Sequence, residues 1–248
     1  ERHARGLTLT DNGEYLFKTA HEVILKLKEV ETTFSDKKTK PSGKLIITTV
    51  RSFGTHWLTP RIQEFMQLNP EIEVELIFDD KELDLNTREA DIGIWMRRPK
   101  KLNYIHRKLT DLKYHMYGSN KYLEKHGYPK TVNDLNKHKF ISYGKGAPSP
   151  VFNPDWALKL GMKDNKKRRS IMKVNSIMGL LLAVESGVGI AALPDYLVSL
   201  SSNLIKLIPS EEGPITEAYF VYPESLKNVA RVQAFRNFLY SKISEWKF

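Results

Sequence analysis

Cysteine is absent from the 248 residues, which excludes a disulfide scaffold, a thiolate zinc site, an iron–sulfur cluster and a thiol that senses oxidants. Long apolar runs are lacking too. The longest, Ile177 to Val184, falls far short of the roughly 18 residues of a membrane span, and residues 1–30 carry no hydrophobic signal core. These absences point to a cytoplasmic protein with no membrane partner. Catalytic groupings are equally scarce. The seven histidines, at 3, 21, 56, 106, 115, 126 and 138, include no pair at the one-turn spacing of a helical zinc site, and no Gly-x-Ser-x-Gly elbow or Gly-Lys-Thr/Ser phosphate loop occurs. Gly187, Gly189 and Ala191 imitate a dinucleotide fingerprint, but that motif must follow a strand and open a helix, and this one follows a helix and opens a strand. No metal, no cofactor and no enzymatic activity are expected.

What is present reads as a globular chain with a basic balance. Hydrophobic residues at 41% and charged residues at 27% support a packed core and exclude wholesale disorder. The net charge of +10 suggests a polyanionic partner, yet residues 1–43 hold eight Lys/Arg against seven Asp/Glu, so the excess lies further along. Two basic runs, Arg97, Arg98, Lys100, Lys101 and Lys166, Lys167, Arg168, Arg169, lack interleaved aromatics on which bases would stack. They read as solvated loops.

Thr10 and Asp11 are good capping types for a long helix. Along it Leu16, Ala20, Val23, Leu27, Val30 and Phe34 recur at alternating spacings of four and three, a seam of the kind that pairs with another chain. Docking on its own domain is the alternative. The polar tract Ser35 to Gly43 then reads as a linker. From Lys44 strand patterns alternate with helical ones, which predicts an α/β arrangement with mostly parallel sheets. Expected strands are Lys44 to Val50, Ile72 to Phe78, Ala90 to Met96, Leu112 to Tyr117, Phe140 to Tyr143, Ile171 to Val174, Gly189 to Leu193, Leu204 to Ile208 and Ala218 to Tyr222. Ser52 or Thr55 is the candidate cap of a helix carrying Trp57, Leu58, Ile62, Phe65 and Met66, Ile177 to Ser186 a buried helix, and Val232, Phe235, Leu239, Ile243 and Trp246 the face of a last one.

Read in order, these pieces resemble one family. Arg2 and Arg5 followed by Leu7-Thr8-Leu9-Thr10-Asp11-Asn12-Gly13 are similar to the signature where the wing of a LysR-type transcriptional regulator enters its linker helix. Gly43-Lys44-Leu45-Ile46-Ile47 resembles the first effector-domain strand of that family, and Leu58-Thr59-Pro60 through Phe65 and Pro70 its first helix. Ala90-Asp91-Ile92-Gly93-Ile94 resembles a further strand, and Gly187-Val188-Gly189-Ile190-Ala191-Ala192-Leu193-Pro194 a characteristic turn. The resemblance implies an α/β fold: a two-subdomain, periplasmic-binding-protein-like effector domain preceded by a wing remnant and a long linker helix. Because the family's DNA-reading helices would precede residue 1, the sequence is read as a truncated regulator.

The implied organisation is a wing remnant over 1–10, a dimerising linker helix and hinge over 11–43, effector subdomain I over 44–117 with 216–248, and subdomain II over 118–215. The crossings are placed near Gly118 to Asn120 and Ser210 to Ile215, where Gly, Ser, Asn and Pro cluster. By resemblance Ser52, followed by Phe53, contacts a small-molecule effector in the cleft between subdomains. A helix N-terminus with adjacent Arg51 suits an organic anion, and plain capping is the alternative for Ser52. Trp95, Tyr143, Asn175 and Ser176 complete the candidate effector site, with core packing and helix capping as their alternatives; a neutral or cationic effector is the alternative ligand. Arg2 and Arg5 would touch DNA backbone. The expected partners are the effector, further copies in a dimer or tetramer, and promoter DNA for the full-length protein. A solute-binding protein of a transporter is the rival reading.

Overall fold

The computed structural model describes residues 2–3, 6–7, 10–17, 19–20, 23, 27, 40–87, 89–100, 103–144, 155–164, 166–198 and 203–246, with 2, 3, 6 and 7 described by their backbone alone. Strand β1 (Arg2–His3) pairs antiparallel with β2 (Gly6–Leu7); Arg5 lies outside the described residues. Residues 11–17, 19–20, 23 and 27 are helical, and Thr10 caps the helix by accepting from the Gly13 amide at 3.2 Å. The seam residues Leu16, Ala20, Val23 and Leu27 are exposed, Leu16 by 69% and Leu27 by 60%. Val30 and Phe34 lie outside the described residues.

The first sheet grows from β3 (Gly43–Thr49), which pairs in parallel with β4 (Ile72–Phe78) and with β5 (Ile92–Trp95). Between β3 and β4 run a short helix α1 (Arg51–Phe53), a π-helical turn (Gly54–Leu58) and α2 (Thr59–Leu68), which stops at Asn69 before Pro70. Asp91 registers β5 on β3: its carboxylate accepts from the Ile46 amide at 3.0 Å, and its own amide donates to the Ile46 carbonyl at 2.8 Å. Next comes β6 (Tyr104–Leu112), a strand the hydrophobic pattern hides because charged residues fill its middle, as befits a sheet edge.

The second sheet is built on β7 (Tyr114–Ser119), which leads into α3 (Asn120–His126). After it come β8 (Phe140–Tyr143), α4 (Trp156–Lys159), β9 (Ser170–Val174), α5 (Ile177–Glu185), β10 (Ala191–Pro194), α6 (Asp195–Val198) and β11 (Leu204–Leu207). The chain then returns to the first sheet with β12 (Thr216–Pro223) and ends in α7 (Ala230–Ser244).

The first sheet has the order β4-β3-β5-β12-β6, and the second β10-β7-β11. The expectation of mostly parallel sheets is corrected here: β12 runs antiparallel to β5 and β6, and all of the second sheet is antiparallel. Late strands that return from another layer need no helical crossover, so antiparallel pairing is open to them. Parallel β8 and β9 join the second sheet through a bridge from Phe140 to Ile190. There the Gly187–Pro194 motif finds its use. Gly187 takes a φ of +83°, and a Cβ on Gly189 would lie 2.3 Å from the Lys139 carbonyl oxygen.

The two faces of the first sheet serve different cores. Leu45, Ile47, Ile92, Ile94, Ala218 and Phe220 face α2 and α7, where Phe65 packs on Phe235 and Phe238 at 5.2 and 5.3 Å. Trp95, Tyr104, Tyr219 and Val221 form a smaller cluster on the other face. The sheet assignment changes at Lys113, between β6 and β7, so the first crossing is not at Gly118–Asn120, which closes β7 and opens α3. β7 lacks breaker residues at its start because the crossing is a single residue long. The second crossing runs from Leu207 to Thr216 and holds the Ser210–Ile215 cluster.

In the run at 166–169, Lys166, Lys167 and Arg169 are exposed as expected of a solvated loop, and Arg168 departs from it. Arg168 is only 9% exposed; it donates to Asn136 Oδ1 at 2.8 Å, the Leu160 carbonyl at 2.7 Å and the Val132 carbonyl at 3.2 Å, and lies over Phe140. Burial lowers its pKa, but with three acceptors the charge is matched.

Candidate functional site

Where the two sheets meet, the start of α1 faces the start of α6. Ser52 is buried, and its hydroxyl sits 2.8 Å from the Tyr196 hydroxyl, a bond from one subdomain to the other. Ser52 is therefore no helix cap: the capping position belongs to Val50, with no side-chain bond. Tyr196 is held by its neighbour Asp195. That carboxylate lies 2.8 Å from His115 Nδ1, accepts from the Tyr117 hydroxyl at 2.8 Å, and pairs with Lys206 at 3.1 Å. These contacts tie α6 to β7 and β11. Burial raises the Tyr196 pKa well above the usual phenol value, with nearby Tyr114 adding to it, so the phenol is neutral and able to donate.

Beside this bridge opens a pocket of about 430 Å³, a volume that includes the solvent at its mouth. The walls are Tyr114 of β7, Ile141, Ser142 and Tyr143 of β8, Trp156, Ala157 and Leu158 of α4, Ile177 and Leu180 of α5, and Ala192 of β10. None of these carries a formal charge. Ser142 is 6% exposed, and its hydroxyl has no hydrogen-bond partner among the described residues. Tyr114 is buried, its phenol pairs with Thr216, and burial raises its pKa. Tyr143 stands nearer the mouth, where its hydroxyl donates to the Asn175 carbonyl at 3.1 Å. Burial, and then the Asp80 carboxylate, raises its pKa. Asp80 acts on Tyr196 in the same direction.

Of the residues nominated from sequence, Tyr143 lines this pocket, and Asn175 and Ser176 precede Ile177 of its wall without lining it themselves. Ser176 caps α5 by accepting from the Gly179 amide at 3.3 Å, and Ile177 after it is part of the wall. The other nominations lie elsewhere. Phe53 is fully buried, stacked on Trp57 at 4.9 Å and edge-on to Tyr196 at 5.6 Å; it is core. Trp95 packs edge-on against Tyr104 at 5.5 Å in the cluster on the far face of the first sheet, because odd and even residues of a strand point to opposite faces. Arg51 is mostly exposed and faces Asp80 at 3.8 Å and Asp79 at 4.0 Å. Its amide also donates to Asp80 Oδ1 at 3.2 Å. The helix start thus already has its anion, supplied by the end of β4, and the anion-binding corner expected from Arg51 and Ser52 is filled from within.

Sequence reasoning missed Tyr114, Ser142, Trp156, Tyr196 and Asp80. Ser142 and Tyr196 each adjoin a residue or motif already singled out, whereas nothing local marks Trp156. Among the described residues no group of three or more His, Asp or Glu could hold a metal ion, and no helix is long and apolar enough to cross a membrane.

A family described as the LysR substrate binding domain matches residues 38–243. An uncharacterized HTH-type transcriptional regulator of Haemophilus influenzae is 27% identical over 230 residues, 90% of this chain and 77% of that protein. The HTH-type transcriptional regulator YhjC of Escherichia coli K12 is 28% identical over 99% of this chain and 83% of its own length. Among solved structures, CrgA, a LysR-type transcriptional regulator from Neisseria meningitidis, superposes with a TM-score of 0.72 at 24% identity, over 98% of this chain and 83% of that one. The virulence activator AphB of Vibrio cholerae gives 0.68 at 21% identity, over 97% and 82%. These likenesses place the two α/β subdomains in one periplasmic-binding-protein-like fold.

Proposed function

This chain belongs to the LysR substrate-binding family of transcriptional regulators, and from that premise we propose that it senses a small effector in a pocket of its second subdomain, beside the junction with the first, and transmits the result to promoter DNA in the cytoplasm. Residues 1–10 serve as a wing remnant whose Arg2 and Arg5 meet DNA backbone, and the helix after Thr10 pairs copies of the chain into a dimer or tetramer. The effector pocket is the one under Tyr143, Ser142 and Trp156. Asn175 and Ser176 stand at its mouth, and Ser52 acts on it through Tyr196.

One observation carries the reading. Gly213, in the second crossing, comes so near Trp156 that an added Cβ would lie 2.5 Å from the indole, and its amide donates to the Tyr114 carbonyl at 2.7 Å. A pocket wall and a connection between subdomains therefore share one contact. A ligand that shifts Trp156 or Tyr114 shifts that connection, which is how binding favours one relative orientation. A transporter's solute-binding protein would share the two-lobed form, but the relatives are named transcriptional regulators, and the exposed apolar seam gives such a protein nothing.

The test is a thermal-shift screen of small organic molecules, followed by small-angle scattering with any hit. The expected result is a saturable ligand that Trp156→Ala weakens at least tenfold and that changes the scattering profile. Hits indifferent to Trp156→Ala would move the site away from this pocket.

A further inference from the structure

Within the reading of this pocket as the effector site, on which the inference rests, the walls say something about the ligand itself. Among the described residues ten line the pocket, and none of these is Lys, Arg, His, Asp or Glu. The cation that would have welcomed an anion, Arg51, is engaged by Asp79 and Asp80. Asp80 in turn bears on Tyr143 and Tyr196. A carboxylate entering here would lose its hydration, gain no cation and approach a like charge, each a cost. An ammonium group would be no better placed, because Asp80, the carboxylate that bears on Tyr143 and Tyr196, already faces Arg51.

Apolar surface is what the pocket offers. Trp156, Tyr114 and Tyr143 supply rings, and Ile141, Leu158, Ile177 and Leu180 aliphatic contacts. A polar demand is unmet in this wall: the Ser142 hydroxyl, buried and without a partner among the described residues. A buried hydroxyl left unpaired costs stability that an alanine would not, so its retention in the wall is explained by a bond that forms on binding.

We propose that the pocket takes a small, uncharged, largely apolar ligand, aromatic or alicyclic, that gives one hydrogen bond to or from Ser142.

Four probes that share a ring and differ at one group decide the matter: toluene, benzyl alcohol, benzylamine and benzoate, titrated by calorimetry into the whole chain and into Ser142→Ala. Benzyl alcohol is expected to bind at least tenfold more tightly than benzoate or benzylamine. Its advantage over toluene, about three- to tenfold in the parent, should vanish in Ser142→Ala. That variant should unfold at the same temperature as the parent or slightly higher, since it removes an unpaired polar atom. Benzoate or benzylamine binding as well as benzyl alcohol, or an alcohol preference that survives Ser142→Ala, overturns the proposal. If Trp156→Ala weakens the charged probe that wins, the pocket remains the effector site and only the ligand class falls. If no probe binds saturably, or none responds to Trp156→Ala, the effector-site reading falls with it.

Discussion

At the scale of single residues, the most exacting positions are those where the backbone leaves no room. Gly189→Ala would place its Cβ 2.3 Å from the Lys139 carbonyl oxygen, a backbone atom fixed by the Phe140 to Ile190 bridge. Urea denaturation should show a loss of about 2 kcal/mol, in the range of overpacked cores. Arg168→Met, which keeps volume but removes the donors, leaves Asn136 Oδ1 and two carbonyls without a cation. A loss of about 2–4 kcal/mol is expected by the same assay, from buried acceptors that lose their partner. His138 gives a pH effect of definite sign. Burial, then nearby His126, lowers its pKa below 6.5, so the unfolded chain binds the proton more readily than the folded one. The contribution of His138 is complete above about pH 6.5 and declines as pH falls through that value toward the folded pKa. Thermal unfolding followed from pH 7.5 to 5 should show a shallower decline in His138→Gln than in the parent.

At the scale of elements, legibility followed local pattern. The strands at Ile72 and Phe140 and the helix at Ile177 stand within a residue or two of their expected bounds because their apolar runs are bracketed by Pro, Gly or a capping Ser. β6 escaped notice: Tyr104, Leu109 and Leu112 are buried, but His106, Arg107, Lys108 and Asp111 break the alternation. An edge strand carries such charges without cost. The candidate site was legible only in its ends. Tyr143, Asn175 and Ser176 lie at junctions where side chains leave the sheet, whereas the side of a strand to which Trp95 points depends on pairing register, which no local pattern states. The helix after Thr10 makes its own prediction. With Leu16, Val23 and Leu27 exposed, Leu27→Glu should bury an unpaired charge in any interface there and lower the mass of the assembly seen by light scattering. An unchanged mass would remove this helix from the interface.

At the scale of the whole molecule, two sheets are held by two connections and a few contacts between them. Tyr196→Phe removes the hydroxyl bond to Ser52 and should cost about 1 kcal/mol in denaturant, while hydrogen exchange quickens around residues 195–198. The Lys113–Glu212 pair, 3.0 Å long, is about half exposed on each side; Glu212→Gln should change stability by under about 1 kcal/mol. The chain passes between the sheets at Lys113, a crossing of one residue that needs no breaker, and again from Leu207 to Thr216, where Pro and Gly fall. At the second, Ile208 adopts a φ of +48°, a conformation costly for a β-branched residue. The Gly213 amide and the Tyr114 carbonyl stitch the two connections together, and the Asp195 amide fastens to the Lys113 carbonyl beside them. Two straps stitched side by side behave as a door's hinge does and not as a rope: they permit swinging about one axle and resist twisting or sliding. A hinge of this form confines relative movement of the two sheets to a single angle, and Ile208, in its costly conformation, sits beside the axle.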